Sequence, residues 1–300
     1  MSTPPSTQAH FWTWQGFSIR YQTAGTQGTP PLLLIHGFGA HSDHWRKNIP
    51  DLGTNHCVYA IDLIGYGQSA KPAPGAPLAY TFETWGQQVI DFCQEIIGEP
   101  AFLVGNSIGC IVAMQAATMA PEQVLGLVVL DCSLRLLHDR KRATLPWYRN
   151  APTPLIQAIL NYKPIGQFFF SRLAQPRTLK NVLSQAYGRK AEVTDELIEL
   201  LLAPARDPAA VDVFVAFISY SQGPLPEDLL PQLTCPVLMI WGEADPWEPI
   251  ELGRELSQYK VVEQFIPLKG VGHCPQDEAP ELVNPLITEW VQRKAVESFV

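Results

Sequence analysis

The 300-residue chain contains no uninterrupted apolar run of the ~18 residues that a bilayer crossing needs, which excludes a membrane-spanning helix. Its six cysteines, Cys57, Cys93, Cys110, Cys132, Cys235 and Cys274, include no Cys-x-x-Cys pair. That removes the common zinc and dithiol spacings and leaves small buried hydrophobes in a reducing compartment. Positive charge is scarce: 21 Lys and Arg stand against 29 Asp and Glu, for a net charge of −8. A chain of that sign is not a general nucleic-acid binder. The opening "MSTPPSTQAH" has no basic start, no apolar core and no arginines, so neither a secretory signal nor a transit peptide is expected, and a cytoplasmic location is. No internal repeat is present, and no low-complexity tract follows the short Pro-rich start.

What is present is a composition 46% hydrophobic and 17% charged, which is that of a globular enzyme-sized protein. The length is long for one minimal domain and short for two, so a core with one large insertion is expected. "FWTWQ" and "FSIRYQTAG" alternate as an antiparallel hairpin. "PPLLLIHGF" is a continuous apolar run, the mark of a strand buried on both faces. "SDHWRKNIPDLG" predicts one helix, capped by Ser42 or Asp43. "HCVYAIDL" predicts a strand, and "TFETWGQQVIDFCQEIIG" a helix with a Thr81 to Thr84 cap and a Gly98 stop. Strand "AFLVGN", helix "IGCIVAMQAATMA" and strand "VLGLVVLDC" follow. The alternation implies an α/β protein with a mainly parallel sheet flanked by helices.

The alternation breaks near Ser133. Residues 134–232 hold no comparable buried-strand run, and "PTPLIQAILNY", "QPRTLKNVLSQAYG" and "TDELIELLL" read as helices. It resumes with "PVLMIWGEAD", "IELGRELSQY", "VEQFIPLKG" and "APELVNPLITEWVQRKA". The expected division is a core of residues 1–133 and 233–300, with a helical lid, 134–232, inserted after the sixth core strand.

"GNSIG", residues 105–109, places a serine between two glycines where a buried strand becomes a buried helix. This is the Gly-x-Ser-x-Gly turn that lifts a hydroxyl above a sheet edge. The flanking glycines allow strand and helix to approach closely, and the helix N-terminus aims its N–H groups at the same point. A serine hydroxyl needs a base to take its proton. Of seven histidines, His273 lies in a glycine-rich loop, "LKGVGHCPQDEAPE", after the last core strand, at the carboxyl edge where ligands bind in open α/β sheets. The imidazole needs a carboxylate to orient it. Asp245, in "MIWGEADPW", is preferred. Asp131, at the end of "VLGLVVLDC", is the rival and Glu243 the weaker neighbour. In "IHGFG", residues 35–39, the backbone N–H of Phe38 joins that of Ile108 as an oxyanion hole, each such donor contributing roughly 3 kcal/mol in the transition state. His36 is read as a brace for this loop. The chemistry needs no metal and no organic cofactor.

Between Arg135 and Lys190 the chain carries eleven basic residues and one acid, Asp139, a charge of +10 that leaves −18 for the rest. Trp147, Tyr148, Tyr162 and Phe168 to Phe170 are interleaved. Such a lid suits docking on an anionic membrane surface. The alternative is equally open: the bases pair with acidic residues of the core, and the aromatics pack the lid down.

Elbow serine, acid, histidine, strand pattern and lid together resemble the α/β-hydrolase superfamily over nearly the whole chain. The stretches "HGFGAHSDHWRKNIPDLG", "YAIDLIGYGQSAKP", "GNSIG", "AVDVFVAFISYSQGPLPEDLLPQ", "WGEADPWEPIELGR" and "GVGHCPQDEAPELVNPLI" resemble the chlorophyll dephytylase and pheophytinase group of cyanobacteria and plants. The resemblance implies a serine esterase that cleaves the phytyl ester of chlorophyll or pheophytin, with a lipophilic ester as its partner and a cytoplasmic or peripheral thylakoid site of action. Other readings stay open: a general carboxylesterase, a thioesterase, a carbon–carbon hydrolase of meta-cleavage products, or a slow-turnover ligand receptor.

Overall fold

The structure is a computed structural model that describes residues 5–26, 30–75, 78–136, 138–143 and 163–297. Among these residues eight strands form one sheet. They are β1 (Gln8–Trp14), β2 (Phe17–Ala24), β3 (Pro31–Ile35), β4 (Cys57–Ile61), β5 (Ala101–Asn106), β6 (Val124–Leu130), β7 (Val237–Gly242) and β8 (Val262–Leu268). Their spatial order is β1-β2-β4-β3-β5-β6-β7-β8. β1 pairs with β2, and β2 with β4, in antiparallel fashion, and every other pair is parallel. The hairpin read from the N-terminal alternation is therefore β1 and β2, and the continuous apolar runs are the central strands.

Those runs are apolar throughout because alternate residues feed two separate cores. Leu33, Ile35, Leu103, Val129 and Met239 face one side, against α2 (Phe82–Phe92) and α3 (Ile108–Met119). Leu32, Leu34, Phe102, Val128 and Ile240 face the other, against Trp45 and, from α12 (Pro280–Glu297), Ile287 and Trp290. Each such side chain contributes about 1.5–3 kcal/mol on burial, so a polar residue in the middle of these strands has no solvent face to turn to. The register sets Ile35 beside Gly105, Asn106 beside Leu130, and Leu130 beside Ile240, which brings four strand ends to one edge.

Two local expectations hold. Thr81 caps α2 by accepting from the Thr84 N–H (3.3 Å), and Gly98 stops the following turn with a left-handed φ of 79°. One does not. The helix expected over "SDHWRKNIPDLG" is split into a 3₁₀ turn, Ser42–Trp45, and α1, Ile49–Leu52. Pro50 has no N–H to donate, and its ring clashes with the carbonyl four residues earlier, so it sits in the first turn of a new helix. Neither Ser42 nor Asp43 acts as the cap. The Ser42 N–H donates to Asp62 (2.7 Å) and Asp43 pairs with Arg20 (2.7 Å).

Between β6 and β7 the described residues form helices and no strand: α4 (Asp139–Ala143), α5 (Lys163–Leu173), α6 (Pro176–Ala186), α7 (Asp195–Leu202), α8 (Ala210–Ser219) and α9 (Pro226–Leu229). A third cluster, with Leu183, Tyr187, Leu197 and Leu201 against Ala40 and Cys274, fastens α6 and α7 to the core. The helix expected at "PTPLIQAILNY", together with Trp147, Tyr148 and Tyr162, lies outside the described residues. After β7 come α10 (Ile250–Leu256) and, beyond β8, α11 (Pro275–Glu278) and α12. No helix among the described residues is long and apolar enough to cross a membrane.

Candidate active site

Ser107 joins β5 to α3 with φ 55° and ψ −119°. A non-glycine residue held there costs about 1–3 kcal/mol, and the surrounding structure must enforce it. The flanking glycines show how. A Cβ at Gly105 would stand 2.6 Å from the Cys110 nitrogen, and one at Gly109 would stand 2.3 Å from the Ile35 carbonyl oxygen. Both distances are contacts that no side chain can make. Ile108 is the first residue of α3, where N–H groups have no partner within the helix.

His273 is buried in the loop after β8. Its Nδ1 lies 2.7 Å from Asp245 Oδ2, in the loop after β7. Asp245 Oδ1 in turn accepts from the N–H groups of Trp247 (2.8 Å) and Glu248 (3.1 Å). The carboxylate is thus fixed at both oxygens, and Nε2 is the ring nitrogen left for other work. Trp247 lies edge-on to the imidazole at 4.9 Å. Asp131 is also near but plays a different part: it is fully buried, and one oxygen accepts from the Gly242 N–H (2.9 Å). Burial first, and the Asp245 charge second, push its carboxyl well above the usual range. It is Asp245, not Asp131, that holds the imidazole. Nothing in the hydrogen bonding connects Glu243's side chain to this network.

Phe38 lies in the loop after β3, its ring stacked on Phe217 of α8 (4.8 Å). His36 braces that loop from both sides. Its Nδ1 meets the Gly37 carbonyl at 2.8 Å, and Nε2 accepts from the Leu63 N–H (3.1 Å). Burial pushes its pKa down to about 4, so the ring is neutral and both nitrogens are occupied.

Ser107, His273, Phe38 and Trp247 all line one cavity of about 600 Å³, whose remaining wall includes Phe170, Phe214 and Phe217 from the inserted helices. A pocket of this size and apolar character accommodates a substantial small molecule.

Residue types and spacing did not disclose three further residues. Asn106 donates to the backbone carbonyls of Leu130 (3.2 Å) and His273 (3.0 Å), tying the serine turn to the histidine loop. Glu278 accepts from the N–H groups of Gly272 (3.1 Å), Cys274 (3.1 Å) and Arg189 (3.0 Å), cradling the same loop. Glu248 lines the cavity beside Trp247. The run "GHCPQDEAPE" carried the signal for Glu278, as a histidine followed closely by an acid that reaches back.

Among the described residues, six of the eleven bases counted between Arg135 and Lys190 have internal partners. Arg140 pairs with Asp228 (2.9 Å), Lys141 with Glu227 (2.6 Å), Arg142 with Asp139 (3.5 Å) and Lys180 with Asp195 (2.7 Å). Arg189 pairs with Glu281. Arg135 donates to the carbonyls of Pro224 (2.7 Å) and Tyr220 (3.0 Å). Beside exposed bases such as Arg140 and Lys180, the insertion exposes apolar side chains: Ile165, Phe168 and Phe169 on α5, with Arg172 over the Phe168 ring at 5.1 Å.

A mainly parallel α/β sheet with a half-buried elbow serine at its carboxyl edge, opening on a cavity, defines a class of hydrolases. The sequence profile described as "Alpha/beta hydrolase family" matches residues 32–286, most of the chain, and the chain belongs to that family. It is 26% identical over 309 residues to "Pheophytinase, chloroplastic" of Arabidopsis thaliana, covering 91% of this chain but 64% of that protein, just under two thirds of its length. It is 28% identical to "Uncharacterized hydrolase YugF" of Bacillus subtilis (strain 168), covering 93% of this chain and 96% of that one. Among solved structures, that of a membrane phospholipase A superposes with a TM-score of 0.73 at 26% identity, covering 96% of this chain and 87% of that chain.

Proposed function

We propose that this protein is a serine esterase acting on a large lipophilic ester, the phytyl ester of chlorophyll or pheophytin. The observation that carries the reading is the cavity: Ser107 and His273 both line a space of about 600 Å³ whose other lining residues are mostly aliphatic and aromatic. Similarity to a pheophytinase supports the choice of ester.

In this reading Ser107 Oγ attacks the ester carbonyl carbon while its proton passes to His273 Nε2. The electron pair of the C=O moves onto the carbonyl oxygen, which the N–H groups of Phe38 and Ile108 receive. Asp245, 2.7 Å from Nδ1, stabilises the imidazolium. The carbon–oxygen bond to phytol then breaks, and His273 returns the proton to the departing oxygen. Water, deprotonated by the same imidazole, attacks the acyl carbon; the bond to Ser107 Oγ then breaks, Oγ takes the proton back from His273, and the pigment carboxylic acid leaves. Every proton and electron pair is accounted for without a metal or cofactor.

Residues 1–133 and 233–300 form the catalytic core and 134–232 a lid over it. The lid meets a pigment-bearing membrane, such as the thylakoid, through the exposed apolar edge of α5. The paired bases at Arg140, Lys141 and Arg142 serve the lid's own cohesion. Incubation with chlorophyll, pheophytin and a short p-nitrophenyl ester, followed by product analysis under multiple turnover, tests the reading. Phytol release from a pigment upholds it. Turnover of the short ester alone points to a general carboxylesterase, and a single slow turnover to a receptor.

A further inference from the structure

Among the described residues that line the cavity, Glu248 is the one carboxyl group. Its position is enforced. The loop Asp245 to Glu248 is closed by the two N–H bonds to Asp245 Oδ1 (2.8 and 3.1 Å), and the Trp241 indole N–H donates to the Glu248 carbonyl (2.9 Å). The residue is 8% exposed, and its Oε2 accepts from the Leu134 N–H (3.0 Å). Sheet order places it relative to the serine. Ser107 ends β5; the Gly37–Phe38 loop follows β3 on one flank; Ser133 and Leu134 follow β6, and Glu248 follows β7, on the other. Glu248 therefore stands across the nucleophile from the oxyanion loop. Burying a carboxyl in an apolar chamber is costly, and a buried carboxylate in particular is not retained for packing.

We propose that Glu248 is a specificity-determining residue: it admits uncharged lipophilic esters, disfavours molecules that carry a carboxylate beside the reacting carbonyl, and helps expel the carboxylate that hydrolysis leaves. This rests on the esterase reading, because only an acyl hydrolysis leaves such a product at Ser107. The physical basis is like-charge repulsion in a poorly hydrated space. Burial pushes the Glu248 pKa up to about 7, against the opposing pull of the Leu134 N–H and His273. The groups that face it are His273 from the loop after β8, Asp245 from its own loop, and Ser133 and Cys132 from the loop after β6. The sign follows. Below about 7 the group is neutral and tolerates an anion; above it the group is charged and repels one.

The test is equilibrium binding of decanoate and decan-1-ol by calorimetry, at pH 6 and pH 8.5, to wild type and to Glu248→Gln. Gln keeps an oxygen for the Leu134 N–H. His273 is present in both proteins, and decan-1-ol reports any change in the cavity that does not depend on charge. The expected result is that decanoate affinity falls between the two pH values by roughly tenfold more in wild type than in Glu248→Gln, the size of a modest like-charge penalty, with decan-1-ol unchanged in both. Equal pH dependence in the two proteins overturns the proposal. Should Glu248→Gln fail to fold, His273→Gln supplies the second arm. There the fall must persist with its midpoint moved upward, because the imidazole that favours the charged form is gone; a flat response overturns the proposal. No arm requires turnover, so a protein that shows this binding yet hydrolyses no ester defeats the esterase reading alone.

Discussion

Asp245 and His273 are 28 residues apart in the chain and 2.7 Å apart in space, joined Oδ2 to Nδ1 across the ends of neighbouring strands. The second carboxyl nearby, Asp131, is fully buried and bonded to the Gly242 N–H. The two acids therefore differ in their partners, one bonded to the imidazole, the other to a backbone N–H. Asp245→Asn should lower kcat about 10⁴-fold, because the ring loses its orienting partner. Asp131→Asn should lower it no more than roughly tenfold, since the amide keeps the acceptor oxygen. Steady-state kinetics on a soluble ester checks both, and a larger loss at Asp131 would reverse the assignment.

Glu278 is the second determinant of the histidine's position. It accepts three backbone N–H groups from Gly272, Cys274 and Arg189. Glu278→Ala strands these donors in the interior, where an unsatisfied polar group costs about 1–3 kcal/mol. Urea unfolding should show that loss. Activity should fall through kcat more than KM, because the loop it holds carries His273 and little of the cavity wall. Glu278→Gln, which keeps one acceptor oxygen, should recover part of both.

Acid sensitivity has a definite window. Burial lowers the pKa of His36 and of His44 from 6.5 to about 4. Between those values the unfolded chain binds protons that the folded protein refuses, so stability is full above 6.5 and falls as pH drops toward 4. Each histidine contributes a slope of about 1.4 kcal/mol per pH unit in that range. The raised carboxyls of Glu248 and Asp131 act in the opposite sense over this window, so the check is a difference. His44→Gln, which keeps a polar partner for the Tyr187 hydroxyl that His44 Nε2 meets at 3.0 Å, should lose less stability than wild type between denaturant midpoints measured at pH 7.5 and pH 5; an equal change in both would contradict this.

The sequence made the central strands legible because residues buried on both faces leave an unbroken apolar run, as in "LLLI" of β3 and "VLGLVVL" of β6. The insertion was harder. α8, "AVDVFVAFIS", is apolar nearly all round and shows no stripe, and the turn before α1 was misread because Pro50 divides what otherwise reads as one helix. At the site, the expectations for Ser107, Asp245 and His273 came from local context, since a glycine-flanked turn and two strand-end loops are local features. The Asn106 bond to the His273 carbonyl spans 167 positions. Glu248 likewise matters only because β6 and β7 are neighbours. Roles created by tertiary approach leave no periodic trace.

Membrane contact, if it is made by α5, depends on apolar burial more than on the basic cluster. Replacing Phe168 and Phe169 with Ser should weaken co-sedimentation with anionic vesicles about tenfold or more, the worth of burying a large side chain. Replacing Arg140, Lys141 and Arg142 with Gln should change vesicle binding little and lower thermal stability instead, because each has a partner acid. The opposite pattern would return the membrane contact to the charges.

The central claim is that Ser107 is the nucleophile. A fluorophosphonate probe reacts covalently with an activated serine, and mass spectrometry of the digested protein locates the adduct. The account predicts a single adduct on the peptide containing "GNSIG", loss of labelling in Ser107→Ala, and loss of ester turnover in parallel with an unchanged circular dichroism spectrum. An adduct on another residue, or ester hydrolysis that survives Ser107→Ala, would contradict it.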